Sequence, residues 1–150
     1  MENYKTNVSV CLMINNNGKV LLLRRSNTSY ECGKYEFPSG HVEANETLLE
    51  AAVRETKEET GLIVNINDLS YCGCVDNNKK GKHLNLLFKT SKYTGEPKLM
   101  SGEESDDFIW KNINDIFSDY DGLSIDTIRF IDIIKSNLSF KSYTGEEIFK

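Results

Sequence analysis

An α/β or α+β sandwich is the fold class this sequence predicts. Three observations lead there: about six short β-type runs, two amphipathic helical stretches, and a length of 150 residues that fits one domain. A chain of that size buries about two thirds of its unfolded surface in a single core. With 39% apolar and 27% charged residues, the composition is that of a globular protein and argues against disorder. A net charge of −5 gives no general attraction to nucleic acid or an anionic membrane, so no duplex nucleic acid is expected as a partner. No apolar run approaches the ~20 residues that span a bilayer. The start MENYKTNVSV lacks a signal-peptide layout, and the chain reads as cytoplasmic.

Residues 7–14 (NVSVCLMI) and 20–23 (VLLL) are β-type runs, and the turn chemistry of residues 15–18 joins them as a hairpin. Residues 24–39 are polar and irregular, punctuated by Gly33 and Pro38, and read as a loop. A helix is predicted over 47–60. Thr47 followed by Glu50 makes a capping-box pattern, Ala51 and Ala52 are strong helix formers, and Gly61 supplies the left-handed residue that ends the helix. Leu49, Ala52, Val53, Thr56 and Thr60 share its apolar face.

Further β-like segments are expected at 62–64, 69–75, 84–89 and 108–110, with a turn at Gly95-Glu96-Pro97. A short helical turn is expected at 113–117. A second amphipathic helix is predicted over 123–134, burying Leu123, Thr127, Phe130, Ile131 and Ile134. Residues 136–150 read as a C-terminal tail on a single domain whose core is about 6–135. Cys11, Cys32, Cys72 and Cys74 lack the paired spacing of a structural zinc site and are assigned no chemistry.

Glu55, Glu58 and Glu59 fall at i, i+3 and i+4 of the first helix, so three carboxylates crowd one face, offset by about 100° from the apolar one. Like charges at that spacing repel by a few tenths of a kcal/mol each. Glu58 and Glu59 also occupy the last turn, where the helix dipole disfavours acids. A divalent cation reverses both penalties. A glutamate-rich helix is, in the absence of further pattern, usually a solvated face.

Further pattern is present. Gly40, Glu46, Arg54, Glu55, Glu58, Glu59, Gly61 and Leu62 reproduce G-x5-E-x7-R-E-U-x-E-E-x-G-U, where U is bulky and apolar. This resembles the Nudix box, with Thr56 at one U position as the departure inside it. The hairpin before it, the Phe37 to Gly40 entry and an acidic segment running from Glu103 to Trp110 also resemble the Nudix layout. Around the box, Ser39 and Asn45 stand where many members have Gly; Asn tolerates the left-handed conformation.

The resemblance implies an α/β/α sandwich with a mixed β-sheet. It implies an Mg²⁺-dependent pyrophosphohydrolase, with Mn²⁺ as a substitute, that cleaves a nucleoside diphosphate linked to another group, and small-molecule nucleotide or diphosphate substrates. Members are often homodimers. Carried over by position, Glu55 and Glu59 are the first choices as metal ligands, and Glu58 is a further ligand or a base for water. The Ser39 carbonyl completes the coordination, Arg54 orients Glu55, and Glu46 serves nearby. A further Glu outside the box acts as ligand or base in many members. Glu104 is the better candidate for it, ahead of Glu103. The alternatives are a non-catalytic nucleotide-binding module and an isomerase on the same fold.

Outside the motif, His41 and His83 read as exposed or structural more readily than as substrate contacts. Arg24 and Arg25 stand between phosphate contact and surface charge. Trp110 reads as core packing, and Lys79, Lys80 and Lys82 as a solvated turn. Residues 30–35, 77–83 and the tail are the segments expected to set substrate selectivity.

Overall fold

The computed structural model describes residues 3, 5–78 and 82–144. Strand β1 (Asn7–Asn16) and β2 (Lys19–Arg25) are followed by two short strands, β3 (Tyr35–Glu36) and β4 (Ser39–His41), and then helix α1 (Leu48–Thr60). A single 3-10 turn (Ile66–Asp68) precedes β5 (Ser70–Asn77), β6 (His83–Thr90) and β7 (Ser105–Asn112). Helices α2 (Ile113–Ser118) and α3 (Ile125–Lys135) and strand β8 (Phe140–Tyr143) complete the order.

β1 and β2 meet at Asn15 with Val20 and at Asn16 with Lys19 and then part. The turn residues Asn17 and Gly18 both have positive φ, +52° and +83°, the geometry a two-residue hairpin needs. Beyond the hairpin, β1 enters a mixed arm in the order β4-β1-β6-β5-β8, antiparallel to β4 and parallel to β6. β2 enters an antiparallel arm between β3 and β7.

The alternation along β1 and β2 supplies two cores. Val10, Leu12, Ile14 and Leu21 face Ala51, Ala52 and Leu62 around α1. Cys11, Met13, Val20 and Leu22 face Phe130, Ile131 and Ile133 of α3 and Ile116 of α2. This is the expected helix-sheet-helix layering with a mixed sheet. Trp110 packs at the edge of the first core, its ring stacked on Tyr93 at 5.9 Å.

α1 begins as expected: the Glu50 amide donates to Thr47 Oγ1 at 3.1 Å, and the Thr47 amide donates to Glu50 Oε2 at 2.7 Å. Gly61 ends it at φ +76°. Its buried face differs by a small rotation, with Ala51 and Glu59 buried while Leu49 and Val53 are half-buried. α3 starts two residues later than its periodicity suggests, because the Ser124 side chain caps it by accepting from the Thr127 amide. Ile133 rather than Ile134 is fully buried there.

Three expectations are corrected. The loop over 24–39 contains β3 and ends in the first residue of β4, both too short to leave a periodic signal. Residues 62–64 form no strand, only one bridge between Ile63 and Thr94. Within the tail, residues 140–143 form β8, parallel to β5, and Tyr143 is fully buried beneath it. Its hydroxyl donates to Asp132 at 3.0 Å, and the Arg129 guanidinium lies 4.7 Å from its ring centroid. A buried arginine on α3 thus lies over the ring of a strand tyrosine whose hydroxyl bonds the same helix, a pairing neither segment announces alone. Residues 145–150 of that tail, with Lys79 and Lys80, lie outside the described residues. Among those described, no helix is long and apolar enough to cross a membrane, and no cysteine is paired.

Candidate active site

A cleft of about 650 Å³ opens where the two arms of the sheet diverge. β4 places Ser39 and Gly40 against the last two turns of α1. A Cβ at Gly40 would fall on the Glu55 carboxylate, so a larger residue there would displace that side chain from its place beside β4. One turn later the Ser39 amide donates to Glu59 Oε1 at 3.0 Å. Glu55 and Glu59 both line the cleft.

Arg54 braces this arrangement. Its Nε and Nη2 donate to the two oxygens of Glu46 at 3.0 and 2.8 Å, and Nη2 also donates to the His41 carbonyl at 2.9 Å. Nη1 reaches Glu55 at 2.8 Å and Glu58 at 3.1 Å. Such a two-pronged arginine-carboxylate pair fixes geometry as well as charge. It holds Glu46 down to about 2, helped by the Glu43 amide. Asn45, at φ +66°, makes the left-handed turn that brings Glu46 to Arg54.

The carboxylates differ in setting. Glu59 is 9% exposed. Burial pushes it well above the usual carboxylate range against the pull of the Ser39 amide, and the charges of Glu36, Glu55 and Glu103 push further. Glu55 is raised for the same first reason, with Arg54 opposing. Glu58 is 48% exposed at its side chain and does not line the cleft.

Glu103 and Glu104 both line the cleft from the segment before β7. Glu103 is half-buried and its charge reaches Glu55 and Glu59, whereas Glu104 is exposed. The structure therefore gathers Ser39, Arg54, Glu55 and Glu59 closely, sets Glu104 at the rim and leaves Glu58 outermost.

Sequence reasoning passed over two acids on the opposite wall. Glu36 of β3 accepts from Arg25 Nη1 at 2.8 Å, yet burial raises it to about 7. Asp126, in the first turn of α3, is raised by burial against the charges of Arg129, His83 and Arg25. Arg25 also donates to the Tyr30 carbonyl and to Thr28 Oγ1, shaping the loop that carries Tyr30 to the cleft. A charged residue beside each apolar run, Glu36 before Phe37 and Asp126 among the α3 apolar positions, was the available signal. Arg24 instead pairs with Asp106 at 2.7 Å outside the cleft.

The sequence pattern of the NUDIX domain matches residues 3–132. The ADP-ribose pyrophosphatase of Methanocaldococcus jannaschii is 32% identical over 125 residues, covering 82% of this chain and 73% of that protein. The 8-oxo-dGTP diphosphatase of Escherichia coli is 30% identical over 94 residues, covering 62% of this chain and 71% of its own. The crystal structure of the MutT protein from Methanosarcina mazei Go1 superposes with a TM-score of 0.72 at 26% identity, over 91% of this chain and 98% of that one. The chain belongs to the NUDIX domain family: it is a Nudix hydrolase.

Proposed function

We propose that the chain is an Mg²⁺-dependent pyrophosphohydrolase, active also with Mn²⁺, whose substrate diphosphate lies across Glu55 and Glu59 in the cleft. Nudix hydrolases use a divalent cation, and the residues present suit one. The donors are all oxygen, as a hard cation prefers, and Glu59 is a buried carboxylate surrounded by like charge that a cation would stabilise.

Among the described residues no three such groups already stand close enough to hold an ion unaided. That agrees with a cation that keeps water and substrate oxygens among its ligands. Glu55, Glu59 and the Ser39 carbonyl would hold it, with Glu58 next. A cation held there would neutralise the diphosphate and lower the pKa of an attacking water.

The chain's own residues do the rest. Arg54, anchored on Glu46 and the His41 carbonyl, keeps Glu55 pointed at the cleft. The Ser39 amide fixes Glu59. Glu103, half-buried and within electrostatic reach of both, is favoured over the exposed Glu104 as the carboxylate base that takes the proton from water. A cytoplasmic location and a homodimer complete the reading.

The observation that carries it is the pair Glu55 and Glu59 lining one cleft beside Gly40. The test is a panel of nucleoside triphosphates, nucleotide sugars, dinucleotides and ADP-ribose incubated with Mg²⁺ or Mn²⁺. Metal-dependent release of a monophosphate product is expected. Binding without turnover across the whole panel sinks the reading.

A further inference from the structure

Towards the cleft, the sheet face that packs α3 changes character. Deep in the fold it presents Met13, Val75 and Leu87 to the core. At its outer end the same faces of β1, β4, β5 and β6 present Ser9, His41, Asn77, His83 and Asn85, and all five line the cleft. Ser9 pairs with His41 on one side and with Asn85 on the other, and His83 pairs with Asn77 on the next rung. Ser9 and Asn85 are buried, at 7% and 5% exposure. Polar side chains buried on a sheet face cost stability unless something uses them.

Ser9 Oγ sits between two imidazoles, 3.2 Å from His41 Nδ1 and 2.8 Å from His83 Nε2, and the rings stack 19° from parallel with centroids 5.6 Å apart. A serine hydroxyl has one hydrogen to give. When it goes to one imidazole, the other must donate to Ser9, so the two outer nitrogens, His41 Nε2 and His83 Nδ1, then offer one donor and one acceptor. Neither outer nitrogen has a hydrogen-bond partner among the described residues.

The cleft needs such donors. Six carboxylates line it: Glu36, Glu55, Glu59, Glu103, Glu104 and Asp126. Among the described lining residues the one arginine, Arg25, commits three of its five N–H groups to Glu36, Thr28 and the Tyr30 carbonyl, which hold it on the opposite wall. A phosphate group entering here meets carboxyl groups on most sides, and the imidazole pair supplies a ring N–H to receive it.

We propose that His41 and His83, coupled through Ser9, contact the substrate diphosphate on the side facing away from Glu55 and Glu59, the imidazole that accepts from Ser9 donating its outer N–H to a phosphoryl oxygen. The assignment rests on the diphosphate lying at the α1 carboxylates. It makes the pair binding residues that hold and orient the diphosphate.

The geometry supplies a discriminating pair of substitutions. His41→Asn keeps an atom near Nδ1 for Ser9 but removes Nε2, and His83→Gln keeps an atom near Nε2 but removes Nδ1. A purely structural role survives both changes; a phosphate contact does not. The probe is methylenediphosphonate with Mg²⁺, which binds without turnover, followed by calorimetry and by ¹H–¹⁵N spectra of the imidazole nitrogens and backbone amides.

The double variant should melt like the native protein and bind the diphosphonate about tenfold more weakly or worse, as expected when hydrogen bonds to a charged group are lost. On an active substrate KM should rise by a similar factor with kcat nearly unchanged. Affinity unchanged in the double variant overturns the proposal. So does a response of the Ser39 and Gly40 amides with none at either imidazole. If neither amides nor imidazoles respond, the diphosphate site at α1 is itself wrong, and the contact row falls with it.

Discussion

Glu59 concentrates the conflict of the site in one side chain. It is buried, accepts one backbone hydrogen bond, and is pushed towards its neutral form by desolvation and by three other acids. Glu59→Gln removes that cost while keeping an acceptor for Ser39. The variant is therefore expected to melt at or above the native temperature without metal, yet to lose on the order of 100-fold or more in rate, the usual toll for one preorganised charge-stabilising group. Full activity in that variant would remove Glu59 from the ligand set.

Glu36 gives a pH signature of its own. In the folded chain it keeps its proton up to about pH 7, against an ordinary value of 4.5. The native state therefore holds more protons than the unfolded one in that window. The contribution is fully present below the lower value and is lost as pH rises through the upper one. Melting curves at about pH 5 and about pH 7.5 should show a decline that is shallower in Glu36→Gln. Glu55 and Glu59 add in the same direction, whereas Glu46 acts only below its ordinary range, down to about 2.

At the level of elements, α1 was legible because each local rule agreed: a capping box, alanines, a left-handed glycine and box spacing that tied Gly40 to Glu55. The hairpin was legible from its turn residues. β3 and β4 were not, because two or three residues carry no period, and their pairing is dictated by partners far along the chain. β8 was hidden for a related reason. Its residues look like a polar tail until Tyr143 is seen to lie under the Arg129 guanidinium and to donate to Asp132. Of the cleft, the α1 wall could be read from the motif, while the polar row on β1, β4 and β6 needed the strand register. If β8 is integral, Tyr143→Ala should cost about 3 kcal/mol or more in denaturant unfolding, as for other large buried aromatics. A loss under about 0.5 kcal/mol, the range for surface changes, would mark β8 as an ornament.

At the level of the whole molecule, cation binding and folding stability are linked by mass action. A cation at 100 times its dissociation constant adds about 2.7 kcal/mol if only the folded chain binds it. For a domain of this size that corresponds to a rise of about 5 °C or more in melting temperature. Mg²⁺ should produce it in the native protein and not in Glu59→Gln. Equal rises in both would place the ion elsewhere.

The two arms of the sheet are joined at the Asn17-Gly18 hairpin and joined again by Phe37 and Pro38, which pass from β3 on one arm to β4 on the other. Two linking residues span little. Glu36 and Ser39 stay within about 11 Å of each other however the chain bends. The step from the acid wall to β4, the strand that touches α1, is thus set by a covalent ruler. At that end of the cleft Glu36 cannot draw further from the β4 strand than this tether allows.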